Sequence, residues 1–326
     1  MLLEKTFINE LNHLGTIRKP FLFIIDFEEL APIVYPLAEI PDTVRFALPG
    51  YPRQETETVA KQGFHLTRFP VPYPDYLSAF NRVMGHLKQG NSYLVNLTFP
   101  TPIETGLTLG EIYKLSEAPY KLLIENRFVV FSPEPFVRIN NGIISSYPMK
   151  GTIDASVPDA ARKVLDDPKE SAEHTTIVDL IRNDLSKVSD NVVVMRYRYI
   201  DRIQTHEKEI LQVSSEIRGR LPEKYELRIG NILDALLPAG SICGAPKKRT
   251  LEIIREAETE PRGYYTGVFG IFDGQNMDSA VMIRFIERTK TGLKYRSGGG
   301  ITHLSNPEAE YREMIDKVYL QITKRK

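Results

Sequence analysis

The chain has 326 residues, of which 42% are apolar and 26% charged, and Lys plus Arg equals Asp plus Glu at 42 each. This is the composition of an ordinary soluble globular protein, long enough for a large core. The lack of a basic excess argues against nucleic-acid binding. The single cysteine, Cys243, excludes an intrachain disulfide and points to a reducing compartment.

Residues 4–14 read as a short amphipathic helix with Phe7, Leu11 and Leu14 on one stripe, and FLFIID (21–26) as a buried strand. Proline-rich turns and short strands follow over 40–75. Leu77, Phe80, Val83, Met84 and Leu87 give helical spacing from Tyr76 to Lys88, with Gly90 as a stop. SYLVNLTF (92–99) is a strand, and further strands are expected at 120–126, 127–132, 136–140 and 142–148. Asn140-Asn141-Gly142 marks a hairpin between the last two. A long helix begins with Asp167 as N-cap and Pro168 at its first position, with Ile177, Leu180, Ile181 and Leu185 on its apolar face. A strand at 192–200 and a helix over about 225–236 come next. Another helix begins at Pro246, strands occupy about 264–273, 278–288 and 293–297, and a final helix covers about 307–325. No linker or repeat interrupts this order, so one catalytic domain over 1–326 is expected. Its class is α+β, with large antiparallel sheets and flanking helices. The N-terminus MLLEKTFINELNHLG lacks a signal-peptide core, and no apolar run nears the ~20 residues of a membrane span. A cytoplasmic location is expected.

Five clusters could carry chemistry. Glu170 and Glu173 are three apart on a helix and share a face. Glu310 and Glu313 repeat that spacing on the last helix, and Lys317 lies one turn beyond. Four such carboxylates could hold a hard cation such as Mg²⁺, which takes oxygen ligands; acids three apart are also common on solvated helix surfaces. In PAGSICGAPKKR (238–249), Gly240, Gly244 and Pro246 lead into a helix whose free amides, with Lys247, Lys248 and Arg249, could bind an anion; an ordinary basic helix start reads the same way. Gly298, Gly299 and Gly300, placed after a strand, would let backbone approach a ligand closely or simply form a hairpin turn. Lys150 stands at a strand end in PMKGT (148–152). A lysine in an apolar pocket can be a nucleophile, although a lone lysine at a strand end is ordinarily exposed. Glu134, between two prolines in SPEPF (132–136), is rigidly held.

In this order and spacing the motifs resemble the chorismate-utilising enzymes: anthranilate synthase component I, aminodeoxychorismate synthase component I, and the isochorismate and salicylate synthases. The similarity runs over about 75–320. It includes GNSYLVNLT (90–98), KESAEHTTIVDLIRNDL (169–185), RGYYTGVFG (262–270) and GGGITHLSNPEAEYREMIDK (298–317). The resemblance implies a fold of two stacked, largely antiparallel sheets flanked by helices, with a shortened region over about 1–74. It implies Mg²⁺ held by Glu173 and Glu313, with Glu170 and Glu310 in support, and Glu134 as general acid. It also implies substrate contacts from Gly244, Ala245, Pro246, Lys247, Tyr265, Arg284, Gly298, Gly299, Gly300, Lys317 and Gln212.

Within this family Lys150 marks the branch. Anthranilate synthases carry alanine there, in P-I-A-G-T, whereas aminodeoxychorismate synthases carry lysine, sixteen positions after the acid. The resemblance therefore implies conversion of chorismate and ammonia to 4-amino-4-deoxychorismate, the precursor of p-aminobenzoate and folate. A separate glutamine amidotransferase subunit would supply the ammonia. Leu94 stands where water-adding members place a lysine, which disfavours water addition. Gln212, Cys243 and Phe285 depart from the usual His, Thr or Ser, and Thr. The early region shows no clear match to the tryptophan-binding segment of longer members, so no tryptophan feedback is expected. The alternatives are anthranilate synthesis and a non-catalytic chorismate-binding subunit.

Overall fold

The structure, a computed structural model, describes residues 3–51, 65–204 and 209–320. Its helices are α1 (Lys5–Thr16), α2 (Tyr73–Lys88), α3 (Leu109–Leu115), α4 (Ala160–Asp166), α5 (Pro168–Leu185), α6 (Ile229–Leu236), α7 (Lys247–Ala257) and α8 (Pro307–Asp316). The early strands are β1 (Phe21–Ile25), β2 (Ile33–Pro36), β3 (Val44–Ala47), β4 (Thr67–Arg68) and β5 (Leu94–Glu104). The middle of the chain gives β6 (Tyr120–Ile124), β7 (Phe128–Ser132), β8 (Pro135–Asn140), β9 (Ile143–Ser146), β10 (Met149–Asp154), β11 (Asp190–Gln204) and β12 (Glu209–Arg220). The last strands are β13 (Gly244–Ala245), β14 (Val268–Phe272), β15 (Met277–Val281), β16 (Phe285–Thr289) and β17 (Gly292–Ile301).

Among the described residues the strands form two sheets. One has nine strands in the order β10-β12-β9-β8-β15-β14-β1-β2, with β11 added on β12. The other has eight in the order β13-β5-β17-β16-β7-β6-β3, with β4 added on β5. Their pairings are antiparallel, as expected for the α+β class. Strand β1 shows how the sheets stack. Side chains alternate across a strand, so Phe21, Phe23 and Ile25 join the large core shared with α1, α2 and α5. Leu22 and Ile24 point the other way, onto Leu122, Ile124, Phe128 and Val130 of the second sheet. Helix α3 covers the far side of that second sheet through Ile112 and Tyr113. Each large apolar side chain buried in this way stabilises the fold by about 1.5–3 kcal/mol.

The structure corrects several expectations. The stretch expected as one strand over 278–288 is two strands, β15 and β16, in different sheets. Arg284, with φ of 53°, breaks the pleat where the chain changes sheet. The strand expected from 264 begins only at Val268, after a turn in which Thr266 has φ of 61°. The three glycines are not beyond a strand but inside β17, paired with Asn96, Leu97 and Thr98 of β5. The helix expected over 225–236 is a 3-10 turn, Tyr225–Arg228, leading into α6. The final helix stops at Asp316, and residues 321–326 of its expected range lie outside the described residues. Strands β10 and β12 and helices α3 and α4 were not expected.

Candidate active site

Helix α5 is started as the sequence suggests. Asp167 caps it by accepting from the Glu170 backbone N–H, with Pro168 at the first position. This fixes the rotation of the helix and sends Glu170 and Glu173 toward β10 and β17. Helix α8 is capped by Asn306, which accepts from the Glu308 and Ala309 N–H groups, and it brings Glu310 and Glu313 to the same place. Glu173 and Glu310 are each only 4% exposed, so for these two the solvated-surface alternative does not hold.

Strand β17 runs between the two helices and can do so because its side chains there are absent. A Cβ on Gly299 would stand 3.5 Å from Glu310 Oε2 and 3.6 Å from both Glu313 Oε1 and Lys317 Nζ. One on Gly300 would stand 3.3 Å from both Glu173 Oε2 and Lys150 Nζ. The glycines thus let bare backbone form one wall of the carboxylate cluster.

Three lysines interleave with the glutamates. Lys150 Nζ donates to Glu173 Oε2 at 3.2 Å. Lys169 Nζ donates to Glu310 Oε1 at 2.7 Å and lies 3.6 Å from Glu173 Oε1, so it bridges the two helices. Lys317 Nζ, at the end of α8, is 2.6 Å from Glu313 Oε1 and donates to the Gly298 carbonyl at 2.9 Å. Ser305 Oγ also donates to Glu310 Oε1 at 2.7 Å. Lys169 and Ser305 were not singled out in the sequence, although Lys169 stands directly beside Glu170 in a quoted motif.

Burial opposes the charge on Lys150, but the carboxylates of Glu173, Glu170 and Glu134 outweigh it and raise its pKa. Burial raises the Glu170 carboxyl, aided by the charge of Glu173. Glu313 is lowered, because Lys317, Lys169 and Lys150 overcome the effect of its burial. Burial lowers Lys317 despite its pairing with Glu313.

Glu134 sits in the turn between β7 and β8. Burial pushes its pKa up, although Ser241 Oγ donates to its Oε1 at 2.6 Å and Lys150, Arg284 and Lys317 favour its charged form. A carboxyl whose pKa is raised in this way is better suited to give up a proton near neutral pH than a free one. Arg284 Nε donates to Tyr319 Oη at 3.2 Å, and Tyr265 is buried behind it with its pKa pushed up to about 12. Gln212 lies on β12 opposite Thr152, two residues from Lys150.

Gly244 and Ala245 form β13, pairing with Val95 and Leu94 of β5, and Pro246 is the N-cap of α7. Ala245 and Pro246, but not Gly244, line a groove of about 1200 Å³ that also borders Glu173. Lys247 also lines it, but its ammonium lies 2.6 Å from Asp184 Oδ2 and donates to the Leu236 carbonyl at 2.7 Å.

The donors fit a hard divalent cation, being carboxylate oxygens, and Glu173 Oε1 is buried without a hydrogen bond. Among the described residues no three acidic or imidazole groups already stand close enough to form a ready-made metal cage. Lys169 stands between Glu173 and Glu310.

Buried carboxylates from two helices, a glycine wall, a half-buried lysine and a glutamate whose pKa burial raises meet in one place. The chain matches the chorismate binding enzyme family over residues 37–323 and belongs to it. It is 51% identical over 318 residues to an uncharacterized PabA-like protein of Pasteurella multocida, covering 97% of this chain and 98% of that one. It is 34% identical to aminodeoxychorismate synthase component 1 of Salmonella typhimurium, over 75% of this chain and 56% of that one. It is 36% identical to an anthranilate synthase component 1 of Haloarcula marismortui, over 72% of this chain and 50% of that one. Its fold is shared with the crystal structure of anthranilate synthase component I from Streptococcus pneumoniae, at a TM-score of 0.68 and 28% identity. That match covers 80% of this chain and 60% of the other.

Proposed function

We propose that this chain aminates chorismate at C4, giving 4-amino-4-deoxychorismate and water. The observation that supports this most is the place of Lys150. Its Nζ reaches Glu173 at 3.2 Å and faces the bare backbone of Gly300, so a ring resting on the glycine wall meets an amine.

In the first step the neutral Lys150 amine attacks ring carbon C2. The ring double bonds shift, and the C4 oxygen leaves as water with the proton of Glu134. In the second step ammonia forms a bond to C4 and the lysine nitrogen leaves C2 with its electron pair. The amine is thereby left at C4, and its surplus proton returns to Glu134. Direct attack of ammonia at C2, the route to anthranilate, is blocked while lysine holds that carbon. Tyr265 and Arg284 would bind the side-chain carboxylate. Glu173 and Glu313 would hold Mg²⁺, with Glu170 and Glu310 in support, and the bound ion would supply charge neutralisation at the ring carboxylate. It would also remove the negative field that raises Lys150.

Ammonia would come from a separate glutamine amidotransferase. The one cysteine of this chain, Cys243, is fully buried and its thiol is pushed up to about 12, so it is no nucleophile for glutamine. A cytoplasmic setting suits a free buried thiol. The test is the product formed from chorismate, ammonium and Mg²⁺, identified by chromatography and mass. The expected product is 4-amino-4-deoxychorismate. Anthranilate as the main product would select the rival amination, and no turnover of chorismate would favour a binding subunit.

A further inference from the structure

Glu134 can act as an acid only if one of its two oxygens carries the proton and faces the ring. The loop between α6 and α7 bears on this. Ser241 Oγ, in the one-turn segment Gly240–Ile242, donates to Glu134 Oε1 at 2.6 Å. An oxygen that accepts a short hydrogen bond from a hydroxyl is the poorer place for a proton, so the acidic hydrogen belongs on Oε2.

The loop is tied to α5 at its far end. Asp184 is buried in the last turn of that helix. It holds Lys247 at 2.6 Å and Lys187 at 2.7 Å, while Lys247 also grips the Leu236 carbonyl at the loop's start. The contact is close. A Cβ on Gly240 would stand 3.0 Å from Leu180 Cδ2 and 3.3 Å from Asp184 Oδ2. One helix therefore carries Glu170 and Glu173 near its start and anchors the acid's hydroxyl partner at its end. A cavity of about 20 Å³ lies between Glu134, Ser241 and Asp184, room for about one water molecule.

We propose that Ser241, held by the Lys247–Asp184 pair, is a positioning residue that assigns the proton of Glu134 to Oε2 and stabilises the carboxylate left behind. This rests on the assignment of Glu134 as the acid. As the C4–O bond breaks, the Oε2 proton passes to the departing oxygen and negative charge forms on Glu134. The Ser241 hydrogen bond then becomes charge-assisted and stronger, so it helps the transition state more than the ground state.

The test compares Ser241→Ala, Ser241→Thr and Glu134→Gln in chorismate consumption with ammonium. The charged and titratable groups facing the acid are Lys150, Arg284, Lys317, Tyr147 and Asp184, and all remain in these variants. Ser241→Ala should lower kcat by ~10-fold to ~100-fold with little change in KM. Its high-pH limb should move upward, because a hydrogen bond favouring the carboxylate is gone. Threonine, which keeps the hydroxyl, should restore both. Wild-type kcat and an unmoved limb in Ser241→Ala, with Glu134→Gln inactive, would overturn the proposal. So would a slow Ser241→Ala with an unmoved limb that threonine does not restore. Full activity of Glu134→Gln would instead remove the acid itself. Infrared titration of the ligand-free protein gives a readout independent of turnover. The carboxyl band lost in Glu134→Gln should titrate at higher pH in Ser241→Ala, and an unmoved band would contradict the proposal.

Discussion

Glu29, in the turn after β1, is buried and its Oε1 accepts no hydrogen bond. Burial raises its pKa from 4.5 to about 7. Between those values the folded chain holds a proton that the unfolded chain has released. The contribution of this group to stability is therefore fully present below about 4.5 and is lost as pH rises toward 7, by roughly 3 kcal/mol from a shift of this size. Glu29→Gln cannot ionise, so it should melt well above wild type at pH 8 and close to it near pH 4.5. An equal difference at both pH values, measured by thermal unfolding, would contradict this. The glutamates of the site carry a different expectation. Glu173→Gln and Glu313→Gln each remove one charge at constant shape. Each should lower chorismate turnover at limiting Mg²⁺ by at least ~10²-fold, since metal charge stabilisation contributes several kcal/mol. Near-normal turnover in both would rule out these ligands.

Among the elements, β17 and β5 approach each other closely at the glycine wall. A Cβ on Gly298 would stand 2.2 Å from the Leu97 carbonyl oxygen, which is backbone that cannot step aside. Gly298→Ala should therefore destabilise the fold, by about 1–3 kcal/mol on the scale of overpacking. Gly299→Ala meets only side-chain ends at 3.5 Å or more and should melt near wild type while crowding the ligand wall. Similar melting temperatures for the two variants would show that the strand pair yields. Much at this scale was legible in the sequence. Asp167-Pro168 gave the start of α5, and three-residue spacing gave the shared face of Glu170 and Glu173. What was not legible has physical causes. Strand β10 holds Lys150 but lies beside a bulge, with Gly151 at φ of 81°, so its alternation is broken. Helix α3 is only seven residues long, too short for periodicity to show, although its Thr108–Glu111 capping box was readable.

At the scale of the molecule, stacking two sheets draws Glu134 from between β7 and β8, Lys150 from β10 and four glutamates from α5 and α8 into one site. The candidate residues could be named from sequence, but not their partners. Lys169 bridging two helices, Ser241 on Glu134 and Asp184 holding Lys247 are contacts between segments far apart in the chain, which no local pattern encodes. The proposed chemistry depends on Lys150 becoming covalently attached to the ring, and this can be read directly. Wild-type protein incubated with Mg²⁺ and chorismate, without ammonia, should show by intact mass an adduct equal to chorismate less water, mapped by peptide digestion to Lys150. Lys150→Ala should show none, and with ammonium its residual product should shift toward amination at C2. If Lys150→Ala makes 4-amino-4-deoxychorismate at the wild-type rate, the lysine is not the nucleophile and the account fails at its centre.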